Sequence, residues 1–210
     1  FCGETLHVVL QFYRHPKSII WLSAFYVFVC AFRSILPRAD VQRICLFDTW
    51  LSSVFIGRTL ATVGELAFVA QWSIVLNLAG GATGERWVQK LSHVILWTIL
   101  TAEVFSWYAV ISTNYLGNSV EESLWGLTYL GISLGLMKLW FHFKGPMRLA
   151  AGFSIVGSLC YVAFMFIVDV PMYLNRLAID TINAKTYLSV GDGLKDLVSR
   201  WHVTHSIEDW

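Results

Sequence analysis

Charged residues are scarce in this sequence of 210 residues: only 14% are Asp, Glu, Lys or Arg, whereas 56% are hydrophobic and 15% aromatic. An average soluble domain carries about 25% charged residues. So few charges would leave large apolar patches of a soluble protein in contact with water. The shortage excludes an ordinary soluble enzyme and a disordered chain, and it indicates an integral membrane protein.

Paired cysteines and a strong net charge are also lacking. The four cysteines, Cys2, Cys30, Cys45 and Cys160, include no C-x-x-C pair, so they signal neither a zinc site nor a disulfide framework. Fifteen Lys and Arg against fourteen Asp and Glu give a formal charge of +1, and we therefore predict no nucleic-acid partner. Because the first residue is Phe1 and not Met, we expect a processed chain or part of a longer one.

What the sequence has in abundance is long apolar runs. A membrane-spanning helix needs about 20 mostly apolar residues. Five segments qualify, namely 18–36, 51–78, 87–111, 121–143 and 147–173. The runs are continuous rather than alternating, which favours helices over a β-barrel. The sequence therefore predicts an all-α, polytopic transmembrane helical bundle of about five spans, in contact with membrane lipids.

Both ends of the chain are amphipathic, because apolar residues recur at helical spacing before Pro16 and again after Gly193. We predict an N-terminal interfacial segment over residues 1–17, the five-helix bundle over 18–173 and an amphipathic C-terminal tail over 174–210. Each end is suited either to lie on the bilayer or to pack against protein. The sequence leaves these two alternatives open.

Basic residues in the short loops predict the orientation of the bundle. With five spans, the N-terminus and the second and fourth loops share one side and hold six Lys and Arg, against two in the first and third loops. The positive-inside rule then places the N-terminus inside. Four basic residues of the tail lie on the other side and weaken this bias. We call the side of the first loop the outer side.

A few ionisable residues fall within the predicted spans, where each costs about 3 kcal/mol on insertion scales. They are Arg58, Glu65, Glu103 and Lys138, with Arg33 and Asp169 nearer the helix ends. At about 1.5 Å per residue, Arg58 and Glu103 lie roughly 10 and 12 Å from the outer ends of adjacent antiparallel helices. We therefore predict an Arg58–Glu103 ion pair, with Glu65 on nearly the same face, about two turns deeper.

This intramembrane polar network has two interpretations. Its members are Arg33, Arg58, Glu65, Glu103 and Asp169. In the functional interpretation it is a proton or ion path or a headgroup pocket, with Glu65 as the titrating group. In the structural interpretation, which we favour at this point, it is a buried network that sets the register of the helices.

The first loop supplies candidates for chemistry at the outer interface, namely Arg38, Asp40, Arg43 and Asp48. Carboxylates are preferred ligands of divalent cations. Asp40 and Asp48, together with Asp169, could thus hold such an ion for headgroup chemistry. Nothing in the sequence determines the distances between them.

Histidines provide two further candidate sites. His93 and His142, with His15 nearby, fall on the inner side and could ligate a tetrapyrrole, but such ligands usually lie within the span. His202 and His205 form an H-x-x-H in the tail, yet no third zinc ligand accompanies them. We expect interfacial histidines and solvated tail residues instead, and we predict no metal and no cofactor.

A G-x-S-x-G motif from Gly131 to Gly135 resembles the nucleophile elbow of hydrolases, which requires a strand before the serine and a helix after it. Here the motif falls in the middle of a predicted helix. Gly131 and Gly135 therefore predict a small-residue groove for close helix packing, and no catalytic residue is predicted.

The absence of a catalytic motif favours a non-enzymatic role. The first interpretation is a structural or accessory subunit that packs against lipid and against other membrane-protein subunits. The alternative is a small transporter or channel that uses Arg58, Glu65 and Glu103. The third is a membrane enzyme that acts at the headgroup interface through Asp40, Arg43 and Asp48.

Overall fold

The computed structural model describes residues 16–209, which form a helical bundle, and the predicted all-α class is confirmed. The helices of this part are α1 (Pro16–Ile35), α2 (Val54–Thr83), α3 (Arg86–Ser112), α4 (Tyr115–Leu139), α5 (Gly145–Ile182) and α6 (Val190–Ser199). Short connections make consecutive long helices antiparallel neighbours. The predicted N-terminal segment lies outside the described residues, except that Pro16 and Lys17 begin α1.

Among the described residues, four helices, α1, α2, α3 and α5, are long and apolar enough to cross a membrane, which fits an integral membrane protein. The fourth predicted span is also a long helix, α4, but it is less apolar than these four. Polar residues such as Asn118, Glu121, Glu122 and Lys138 lower the hydropathy of α4, the predicted fourth span. This helix packs against α2, α3 and α5, and more than half of its residues are buried.

Large apolar side chains cover the exposed faces of the other long helices, which point away from the bundle. Trp97 on α3 is 71% exposed, Phe153 on α5 is 71% exposed and Ile167 is 74% exposed. Such an apolar surface is unfavourable in contact with water and favourable in contact with lipid tails. The exposed rings and the apolar helices thus agree on a membrane environment.

Two helix boundaries differ from the predicted ones. α4 begins at Tyr115 rather than at residue 121, because the side chain of Asn114 accepts a hydrogen bond from the backbone N–H of Leu116 at 2.9 Å and caps the helix there. α5 continues past the predicted end at Tyr173 to Ile182. Residues 174–182 therefore belong to the bundle and not to the tail.

The hydrogen-bond pattern of α5 changes in its middle. Residues Met165–Asp169 form a π-helical turn, in which the N–H of Val170 donates to the carbonyl of Met165. Pro171 follows directly and has no N–H to donate. A local π-turn beside a proline is a usual cause of a break in helix geometry, and such turns are frequent at functional sites.

A small sheet and α6 close one end of the bundle, which we call the tail end and which contains residues 36–53, 113–114 and 183–209. Strand β1 (Arg38–Ala39) pairs antiparallel with β2 (Ile44–Cys45), and β2 pairs parallel with β3 (His202–Val203). Leu197 of α6 is fully buried in a cluster with Val54, Val110 and Tyr115. Of the two alternatives for the tail, this chain shows packing against protein, namely against its own bundle.

The apolar core fills the half of the bundle away from the tail end. Its fully buried members include Leu76, Ile95 and Ile132. A Cβ atom on Gly131 would lie 2.8 Å from Ile95 Cγ2, and one on Gly135 would lie 3.0 Å from Leu76 Cδ2. These two glycines therefore allow α4 to approach α3 and α2 closely.

Candidate functional site

A cavity of about 620 Å³ lies between α1, α2, α4 and α5 in the half of the bundle near the tail end. Residues 38–42 of the first loop and Arg176 line the end of the cavity that lies toward the tail end, and we call this end its mouth. Phe68 and Tyr129 line its inner end. Each lies 14 positions from the start of its helix, Val54 or Tyr115, so the cavity reaches roughly 21 Å into the bundle at 1.5 Å per residue.

Arg58 is the centre of an ion-pair network in the cavity wall, although it is only 6% exposed. Its Nη2 lies 3.0 Å from Glu103 Oε2 and 3.3 Å from Glu65 Oε2. Its Nη1 lies 3.4 Å from Glu121 Oε1. The Arg58–Glu103 pair expected from helix depth is therefore formed, and one guanidinium contacts three carboxylates.

Neighbouring polar side chains orient Glu103. Thr62 Oγ1 donates a hydrogen bond to Glu103 Oε2 at 2.6 Å, and Trp107 Nε1 donates to Thr62 Oγ1 at 3.0 Å. The carboxylate is thus held by α2 and by its own helix. A buried charge with such partners keeps one defined geometry.

The other predicted members of the network lie nearer the cavity mouth. Arg33 Nη1 lies 3.4 Å from Glu65 Oε1, with half of the Arg33 side chain exposed. Asp169 lines the cavity from the π-helical turn, but it forms no ion pair with another residue of the described part. The structure thus connects Arg33, Arg58, Glu65 and Glu103 directly and places Asp169 across the same space.

Two of the four candidates in the first loop line the cavity. Arg38 Nε lies 2.7 Å from Asp40 Oδ1. The guanidinium of Arg38 occupies the space where a side chain at position 57 would stand, so a larger residue in place of Gly57 would displace it. Burial lowers the pKa of Arg38, and the neighbouring Asp40 opposes that shift.

The other two loop candidates fasten the tail to the bundle. Arg43 Nε lies 2.7 Å from Asp196 Oδ2, and its Nη2 donates to the carbonyl of Val110 at 2.7 Å. Trp201 Nε1 donates to Asp48 Oδ1 at 2.9 Å. Asp48 therefore binds the tail through Trp201. Residues 16–209 contain no group of three His, Cys, Asp or Glu that could hold a metal ion. The geometry does not support the divalent-ion site expected from three aspartates.

The histidines are separated from one another. His142 Nε2 lies 3.4 Å from Glu85 Oε1, whereas His93 Nε2 lies 3.3 Å from Asn77 Nδ2, so these two rings have different partners. His202 belongs to β3 and His205 follows it outside any helix, which contradicts the expected shared helical face. His15 lies outside the described residues.

The serine of the G-x-S-x-G motif has a structural partner. Ser133 is fully buried, and its Oγ donates to the carbonyl of Tyr129 at 2.9 Å within α4. No strand leads directly into this serine, because residues 115–139 are helical on both sides of it. The motif therefore belongs to the packing surface of Gly131 and Gly135.

Sequence reasoning missed two carboxylates of the site. Glu121 contacts Arg58, accepts a hydrogen bond from Asn118 Nδ2 at 3.3 Å, and is buried. Glu122 lines the cavity beside it. The predicted helix start at residue 121 placed both carboxylates at the membrane interface. The N-cap residue Asn114 was the signal that places them two turns inside the helix.

Five aromatic side chains form the inner end of the cavity, and we call them the inner wall. They are Tyr26, Phe68, Trp125, Tyr129 and Tyr161. The ring centroids of Tyr26 and Phe68 are 4.7 Å apart, those of Phe68 and Tyr129 are 6.1 Å apart, and those of Tyr129 and Tyr161 are 4.1 Å apart. The wall thus runs across α1, α2, α4 and α5.

Comparison of the chain with family models, with curated proteins and with solved structures finds no match. Functional inference therefore rests on the cavity and on the residues that line it.

Proposed function

We propose that this chain is a small membrane transporter that binds a small organic solute in the cavity between α1, α2, α4 and α5. The observation that carries the proposal is the shape of this cavity. It extends from the first loop at the tail end roughly 20 Å into the bundle, where it reaches the inner wall. Transporters bind their substrates near the middle of the membrane and give access from one side at a time.

The charges in the wall support this proposal over a purely structural role. Arg58, Glu65 and Glu121 are costly to place inside a membrane and usually mark a substrate or ion pathway there. A subunit that serves only to pack against partners has no need of a cavity of about 620 Å³ lined by such groups. The transporter alternative is therefore preferred to the accessory subunit.

The break in α5 also supports the proposal. Met165 and Asp169 of the π-helical turn line the cavity, and Pro171 follows them. Transport requires a wall element with more than one stable arrangement, and a helix interrupted at this point is suited to that role.

Uptake by proteoliposomes tests the proposal. Four radiolabelled solutes serve as probes: choline as a cation, glycine betaine as a zwitterion, glutamate as an anion and glycerol as a neutral solute. We expect protein-dependent uptake of at least one of them. Glu65→Gln should reduce this uptake at least tenfold, a loss of the size seen when a buried charge is removed.

Gly157→Ala is the matched control. It also lies in a membrane-spanning helix, but a Cβ atom there meets nothing within 4 Å, so uptake should stay unchanged. Monodisperse protein that takes up none of the four solutes would contradict the transporter proposal and favour the accessory role. Uptake that is equally fast in Glu65→Gln would contradict the assigned pathway.

A further inference from the structure

We infer that the cavity binds the ammonium group of a small organic solute, placed between the rings of the inner wall and the carboxylates Glu65 and Glu122. This inference rests on the proposed function and adds to it the chemical class of the solute. Three observations carry it: the distribution of charge with depth, the position of Glu122 and the composition of the inner wall.

Charge in the cavity changes with depth. Arg33, Arg38 and Arg176 lie near the mouth, and Arg58 is surrounded by three carboxylates. Among the described lining residues that lie deeper than Arg58, the charged ones are acidic, namely Glu65, Glu121 and Glu122, and Asp169 lines the same space nearer the mouth. The field at the inner end therefore favours a cation and repels an anion.

Glu122 is the carboxylate best placed for a ligand. It is half-buried, lines the cavity and forms no ion pair with another described residue. Because Trp125 and Tyr129 follow it at helical spacings of three and seven, Glu122 shares one face of α4 with two rings of the inner wall.

The inner wall matches the same chemistry. The faces of Trp and Tyr rings attract cations, and aromatic pockets are a common recognition device for quaternary ammonium groups. Inorganic cations prefer oxygen, nitrogen or sulfur ligands instead. A cavity of about 620 Å³ is also the size of a small-molecule site rather than of an ion site.

Two buried donors nearer the mouth extend this assignment to zwitterions. Arg58 Nε and Arg38 Nη1 have no hydrogen-bond partner among the described residues, although both side chains line the cavity. They suit an anionic group on the same solute, whose ammonium end lies deeper. A plain cation and a zwitterion thus share the ammonium subsite and differ only in the use of these donors.

Binding of radiolabelled choline to the purified full chain, measured by scintillation proximity, tests the inference. Competitors are glycine betaine, acetate and dimethylbutanol, the uncharged analogue in which carbon replaces the nitrogen of choline. We expect saturable binding of radiolabelled choline or, in a parallel assay, of radiolabelled betaine, with dimethylbutanol a competitor at least tenfold weaker than either. Glu122→Gln should weaken binding about tenfold, and Glu85→Gln, which lies at the opposite end of the bundle near Lys138, should leave it unchanged.

Two substitutions of Tyr129 separate recognition from folding. Tyr129→Phe keeps the ring face and should keep binding, whereas Tyr129→Leu removes the face and should weaken binding about tenfold. Equal losses in the two variants would show a packing role and would contradict the ammonium subsite. Dimethylbutanol that competes as well as choline would contradict it too.

The outcomes also separate this inference from the proposed function. Uptake of glycerol or glutamate without binding of choline or betaine would leave the transporter proposal standing and overturn the ammonium subsite. Saturable binding of radiolabelled acetate without binding of choline or betaine would assign an anion site instead. Binding of choline without any uptake would support the subsite and contradict transport. Failure of both measurements would overturn both proposals.

Discussion

Arg43 and Asp196 join the first loop to the tail across 153 positions of sequence, with 2.7 Å between Nε and Oδ2. The Arg43 side chain is 3% exposed, and it also donates to the carbonyls of Asp40 and Val110. One guanidinium therefore connects the cavity mouth, the end of α3 and α6. The tail is thus fastened to the loop that lines one end of the cavity, rather than being a separate appendage.

Arg43→Gln should loosen the tail. Removing one partner of a buried ion pair costs about 3–5 kcal/mol when the other charge is left without compensation. The loss should be smaller here, because Arg200 still pairs with Asp196 at 2.7 Å. We expect amide hydrogen exchange in α6 to become faster while exchange in the apolar core stays slow. Arg200→Gln is the matched control, since Arg200 contacts the same Asp196 with a side chain that is 61% exposed. Unchanged exchange of α6 in Arg43→Gln would show that the tail is held by its apolar contacts alone.

Arg58 should be the most sensitive member of the buried network. Arg58→Gln leaves Glu103 and Glu121 without their cation and Glu65 with only the half-exposed Arg33, and we expect a loss of about 3–5 kcal/mol in the free energy of unfolding. Glu103→Gln leaves Arg58 with two carboxylates and should cost less. Thermal unfolding in detergent measures the order of the two variants. The reverse order would mean that the pair with Glu103 dominates the network.

Gly131→Ala should destabilise the bundle by about 1–3 kcal/mol, because the added Cβ meets the buried Ile95 and the two helices must separate. Gly157→Ala, where the space is open, should be neutral or stabilising by about 0.5–1 kcal/mol, since alanine favours a helix. The melting temperatures of the two variants compare these effects directly. Equal melting temperatures would remove the packing role of Gly131.

Cys30 and Cys160 offer a matched test of water access. Both are exposed and both lie in membrane-spanning helices, but only Cys30 lines the cavity. In proteoliposomes, with the other cysteines replaced by serine, a charged methanethiosulfonate reagent should modify Cys30 and spare Cys160, because the reactive thiolate requires water. A cationic reagent should react about tenfold faster than an anionic one if the cavity field is negative. Modification of Cys160 alone would contradict an aqueous cavity.

Depth arithmetic along a helix was sufficient to predict some contacts. Arg58 and Glu103 lie at matching depths on antiparallel neighbours, so the rise per residue alone brings them together. The same reasoning predicted that polar groups gather in one half of the bundle, which the positions of the cavity and the core show. It failed at Glu121, because the predicted start of α4 was six residues too late. That start placed this carboxylate at the membrane interface, whereas it lies in the cavity wall.

The tail shows where such reasoning ends. Periodicity indicated an amphipathic helix near Leu197, but a bilayer and a protein surface reward the same apolar face. Only the fold shows that this face meets Val54, Val110 and Tyr115 of the chain itself. The pairing of β2 with β3 has no local sequence signal, since each strand has only two residues.

The sequence by itself therefore determined the membrane class, the long helices and the presence of charges that lipid does not tolerate. These properties follow from composition and from local spacing, which act within one helix or between neighbours. Only the tertiary structure decided that three carboxylates converge on Arg58, that five aromatic rings line the inner end of the cavity and that the tail is fastened to the first loop through Arg43. Those contacts join residues far apart in sequence, and their distances depend on how all the helices pack at once.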